Sequence, residues 1–136
     1  MVKNCFYLIV GVLCILFAVT HTVNGVATTL PALDTSGISE DFKVAFTYVW
    51  HIIGIENLVF GVALLIMAFQ KSQSKVRFAA WLIIAILSLR WIVISSFTLA
   101  NNSGEIMQIL PDTAAIFVVL VLLVLGTRVR DKVLNA

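Results

Sequence analysis

A chain of 136 residues that is 61% hydrophobic and only 12% charged, with a mean hydropathy of +1.08, has more apolar surface than one small core can hide. Lipid has to act as its solvent. The net charge of +2 gives no footing for nucleic-acid binding, and the two cysteines exclude a disulfide framework. Cys5 and Cys14 stand nine residues apart in one apolar run, roughly 13 Å along a helix, too far to bond.

In chain order, residues 5–23 form the first apolar run, preceded by Lys3. It has nearly the length that crosses a bilayer, roughly 20 residues. Gly11, Ala18 and Gly25 recur every seven residues, with Cys14 and His21 on the same side. Such a stripe of small residues lets helices approach closely in lipid. A secretory leader is the competing reading, with its basic start, apolar stretch and small residues near Gly25. A cleaved leader has no use for a packing face.

Residues 24–43, with Gly25, Pro31 and Gly37, read as a polar loop. Ser39, Glu40 and Asp41 have the pattern of a helix start. The second span is expected over 44–69, the third over 78–99 after a QKSQSK connector, and the fourth over 112–127. Residues 101–110 read as a second polar loop holding the formal sequon Asn101-Asn102-Ser103, with Pro111 and Asp112 opening the last helix. That helix is almost purely Val and Leu at its centre, as a lipid-exposed helix should be. The expectation is an all-α, four-transmembrane-helix bundle forming a single membrane domain.

The basic residues set its orientation. Lys3, then Lys71, Lys75 and Arg77, then Arg128, Arg130 and Lys132 fall on one side of a four-span chain, and only Lys43 on the other. The positive-inside rule then puts both termini in the cytoplasm of a bacterial-type inner (plasma) membrane. Asp34, Glu40, Asp41, Glu105 and Asp112 fall outside.

The stretch WHIIGIENLVFG, residues 50–61, carries polar side chains into this apolar setting. Measured from the outer ends of the spans at 1.5 Å per residue, His21 lies at ~4 Å, His51 at ~10 Å, Arg90 at ~15 Å and Glu56 at ~18 Å. Glu56 and Arg90 are the only acid and base deep in the lipid, and an intramembrane ion pair between them would relieve both. Thr47, Trp50, His51, Gly54, Asn57 and Gly61 share one helical face, and Ser88, Trp91, Ser95 and Thr98 another. Glu56 and Arg90 point away from both faces. The histidine face therefore meets the first helix, a central cavity or an oligomer partner.

The ligand-binding candidates are His21, His51 and Asn57, with Trp50 and Trp91. Three readings remain open for the histidines. They are hydrogen-bonded interface residues, they contact a small ligand, or they hold haem or metal, for which Asp112 and Glu56 lie at neighbouring depths. The sequence shows no Gly-rich phosphate loop and no serine or cysteine motif beside a histidine.

The run Ile55-Glu56-Asn57-Leu58-Val59-Phe60-Gly61-Val62-Ala63-Leu64-Leu65 resembles the second helix of DoxX-like small membrane proteins, which have a glutamate about five residues before a glycine and then an apolar run. Length and four-span layout match as well. Trp50-His51 falls outside that pattern. The family takes its name from a subunit of a quinone-reducing thiosulfate oxidase, so the resemblance implies a subunit of a membrane complex. Taken together, the expectation is an accessory or small-molecule-binding subunit with a polar pocket in the outer half. The alternatives are a haem- or quinone-associated redox subunit and an oligomeric proton-coupled transporter.

Overall fold

The computed structural model describes residues 1–101 and 106–130, and these are helical apart from short connections. The elements are α1 (Cys5–Asn24), a π-helical turn (Gly25–Thr29), α2 (Leu30–Asp34), α3 (Glu40–Phe69), α4 (Gln73–Asn101) and α5 (Ile106–Thr127). Four stretches are long and apolar enough to cross a bilayer: Cys5–Asp34, Glu40–Phe69, Gln73–Asn101 and Ile109–Thr127. A helix of 30 residues is ~45 Å long against a hydrocarbon core of ~30 Å. The first three stretches therefore extend past the lipid core.

That excess length corrects four expected boundaries. Residues 24–34 are helical, not loop. Pro31 lacks an N–H and its ring crowds the carbonyl four residues back. The chain meets this with one wider turn ahead of the proline, where the Leu30 N–H reaches back to the Gly25 carbonyl. The Thr28 hydroxyl returns to the Asn24 carbonyl at 2.7 Å. The break comes instead at Gly37, which takes φ +68°, a conformation glycine adopts freely. Next, α3 starts at Glu40, at the Ser39-Glu40-Asp41 signature and ahead of the apolar run. Finally, α4 starts at Gln73, and α5 starts at Ile106 with Pro111 inside it. So close to the N-terminus of α5, Pro111 forfeits a single intrahelical bond. Asn102, Ser103, Glu105 and Lys132 lie outside the described residues.

Of its most apolar stretch, the last span buries 17%, against 22% to 33% in the others. This agrees with its Val- and Leu-rich composition.

The chain divides into two compact units, Gly11–Leu65 and Met1–Val10 with Ile66–Ala136. In the first, α1 and α3 approach through their glycines. A methyl group on Gly61 would come within 2.6 Å of Ile15 Cγ1 and 2.9 Å of the Gly11 carbonyl oxygen. One on Gly54 would lie 2.8 Å from Thr22 Oγ1. The small-residue stripe of the first span thus seats the small-residue face of the second, and backbone meets backbone.

The second unit is tied at its basic end by Asn4, 1% exposed. Its Oδ1 accepts the Tyr7 N–H three residues on, at 3.3 Å, as an N-cap for α1. Its Nδ2 donates to Gln73 Oε1 at 3.0 Å and to the Gly126 carbonyl at 2.9 Å. The backbone N–H groups of Lys3 and Asn4 both donate to the Ala68 carbonyl. Gln73 Nε2 in turn donates to the carbonyls of Gln70 and Met67, closing the C-terminal end of α3. Tyr7, 1% exposed, lies so close to Gly126 that a methyl group there would come within 2.5 Å of its ring. The chain start, the α3–α4 connector and the end of α5 therefore meet at one end of this unit, as four alternating spans require.

Candidate functional site

Within the Gly11–Leu65 unit, His21, Trp50 and His51 do not form one cluster. His21 and Trp50 form a clasp between α1 and α3. Their rings stack at 4.3 Å between centroids and 10° between planes. The Trp50 Nε1–H donates to the His21 carbonyl, and His21 Nε2 donates to the Trp50 carbonyl, both at 3.1 Å. A carbonyl only accepts, so His21 Nε2 carries a proton. Gly25 makes the clasp possible, because a methyl group at this position would fall 2.0 Å from Trp50 Nε1. Phe46 packs on the indole at 5.8 Å, tilted by 31°. The clasp satisfies both polar ring groups inside an apolar interface, where an unpaired one would be costly.

His51 faces elsewhere. It lines a groove of about 570 Å³ with Asp34, Lys43, Thr47, Tyr48 and Ile55. Lys43 sits at its polar end. The Lys43 ammonium lies 2.7 Å from Glu40 Oε1 and 4.0 Å from Asp34 Oδ1, and its side chain is only 16% exposed while both acids are largely exposed. The helical course of residues 30–34 is what brings Asp34 to this lysine. Further along α3, the Thr47 hydroxyl, the Tyr48 phenol and the His51 imidazole follow, and the wall then turns apolar at Ile52 and Ile55. The groove therefore grades from charged through hydrogen-bonding to apolar over one helix face.

The lining of this groove does not include the other candidates. Asn57 is buried, 7% exposed. Trp91 belongs to the other unit, where its indole N–H donates to Thr113 Oγ1 at 3.2 Å. Glu56 and Arg90 are both half-buried, each near the middle of its helix. Among the described residues no group of three or more His, Cys, Asp and Glu side chains is placed to hold a metal ion. A metal takes a histidine through an unprotonated nitrogen, so His21 would have to give up its bond to Trp50 to ligate through Nε2.

The groove's neighbours Lys43, Tyr48 and Asp34 were missed as site residues. Lys43 had a signal, as the one basic residue on the outer side and three residues after Glu40. Tyr48 and Asp34 had none, and Asp34 was expected to lie in a loop. Asn4 was also legible in principle, as an amide-bearing side chain directly ahead of an apolar helix.

Comparison with protein-family models, with curated proteins and with solved structures finds no match to this chain.

Proposed function

We propose that this chain is an accessory subunit of a bacterial-type inner membrane which holds a small amphiphilic molecule in the groove beside His51. The observation that carries the reading is the grading of that groove, from Lys43 and its two carboxylates, past Thr47, Tyr48 and His51, to Ile52 and Ile55. A ligand with a hydrogen-bonding head and an apolar body fits this order of chemistry, with its head toward Lys43 and its body toward mid-membrane. Ligand sites commonly combine apolar walls with a few placed polar groups in this way. Both termini lie in the cytoplasm, a reading supported by the basic residues gathered at the Asn4 end.

The likeness of residues 55–65 to DoxX-like proteins supports the accessory-subunit part of this reading. A quinone belongs to the same ligand class, and the apolar wall at Ile52 and Ile55 favours it over a purely polar solute. A haem held by both histidines is disfavoured by the clasp, which engages His21 with Trp50. The expected Glu56–Arg90 ion pair belongs to this proposal. Its support is that each alone would cost a few kcal/mol in lipid, about 2.5–3.5.

The test is mass spectrometry and absorption spectroscopy of small molecules retained after mild solubilisation. Wild type retains a discrete amphiphile that His51→Ala loses. Wild-type protein that retains none would overturn the proposal, and a Soret band would replace it with a haem subunit.

A further inference from the structure

The second unit carries a groove of its own, about 370 Å³, between α4 and α5. Ile84 lines it from α4, and Phe117, Val121 and Val124 from α5, with Arg128 closing one end. Phe117 and Val121 are exposed, and so is Arg128. From Phe117 to Arg128 the helix advances roughly 16 Å. Half of a ~30 Å hydrocarbon core is about the same length.

Charge decides what kind of molecule would lie there. Arg128 and Arg130 follow the last turn of α5, and the Asn4 bonds bring Lys3 and the connector with Lys71 to this same end. Asp112 is at the far end of α5, and no acid among the described residues shares the basic end. An apolar channel one leaflet deep, capped by an exposed guanidinium whose charged neighbours among the described residues are basic, has the complement of an anionic lipid. A zwitterionic headgroup would bring an ammonium against these cations.

We propose that this groove binds one acyl chain of an anionic phospholipid from the leaflet at the basic end, with the lipid phosphate on Arg128. A guanidinium suits this role because its planar fork pairs with phosphate oxygens through two hydrogen bonds. The site is independent of the groove beside His51, and it makes the α4–α5 face a preferred lipid site rather than a generic lipid contact.

Native mass spectrometry of the full chain in mild detergent tests it, with equal amounts of palmitoyl-oleoyl phosphatidylglycerol and phosphatidylcholine. Wild type should retain the anionic lipid about fivefold more. Arg128→Gln, at an exposed position, should bring the ratio close to one. Val121→Trp should lower retention of both lipids, and excess glycerol 3-phosphate, which has no acyl chain, should displace neither. A wild-type ratio of one, a preference that survives Arg128→Gln, or displacement by glycerol phosphate would overturn the proposal. Should Val121→Trp lose its helical content, the Arg128→Gln ratio alone decides.

Discussion

Adding one methyl group at Gly25 probes the clasp that joins α1 to α3. That carbon would lie 2.0 Å from Trp50 Nε1, 2.6 Å from Cδ1 and 2.8 Å from Cε2. Three ring atoms cannot yield together, so the indole has to leave its seat. It then loses its bond to the His21 carbonyl, a class of interaction that averages about 0.6 and reaches about 1.7 kcal/mol in membranes. It also loses the stack on His21, about 0.5–1.5 kcal/mol. Alanine's better helix propensity returns at most about 1 kcal/mol, and less within a π turn. The net expectation is a loss of about 1–2 kcal/mol. Unfolding in mixed micelles of increasing denaturing detergent measures it, in a Trp81→Phe, Trp91→Phe background where Trp50 alone fluoresces. Gly25→Ala should unfold earlier, and Trp50 emission should shift to the red. Gly37→Ala is the control. Nothing lies within 4 Å of it and its φ is +68°, so it should cost about 1–2 kcal/mol of backbone strain with Trp50 emission unchanged. A Gly25→Ala protein with parental stability and emission would refute the argument.

Two other perturbations follow from the same contacts. Asn4→Ala removes an N-cap and two buried donations, and should cost about 2–4 kcal/mol in the same unfolding assay. Asn4→Asp keeps the cap acceptor but sets a carboxylate against the oxygens of Gln73 and Gly126, so it should rescue nothing; recovery of parental stability would show that the donations are unimportant. For the proposed pair, Glu56→Arg and Arg90→Glu should each destabilise by about 3–5 kcal/mol, and the double exchange should recover most of the loss. Strictly additive losses would remove the pair from the account.

The legible part of this fold is the part that lipid dictates. Apolar length marks the spans, because no other arrangement hides so many Val, Leu and Ile side chains. The small-residue stripe Gly11, Ala18 and Gly25 was readable for the same reason, since close approach in a membrane demands it. Helix ends were not readable from hydropathy, because residues 30–34 and the first turn of α3 continue as helix outside the lipid. Pro31 misled for a physical reason: a proline breaks a regular α-helix, but a wider turn before it lets the chain go on. The ring contact of His21 with Trp50 was hidden because it depends on how two helices meet and not on spacing along either. The same is true of Lys43, whose second carboxylate comes from the far side of a turn.

The most direct test of the account is the melting temperature of the purified protein with and without an organic extract of bacterial membranes. A ligand that occupies the groove only in the folded state stabilises it by about 2.7 kcal/mol at one hundred times its dissociation constant. The account predicts that wild type melts higher with extract, and that His51→Ala melts where unliganded wild type does but gains less from the extract, keeping only the gain from anionic lipid at the α4–α5 groove. Equal gains for the two proteins, or none for wild type, would contradict a ligand site at His51.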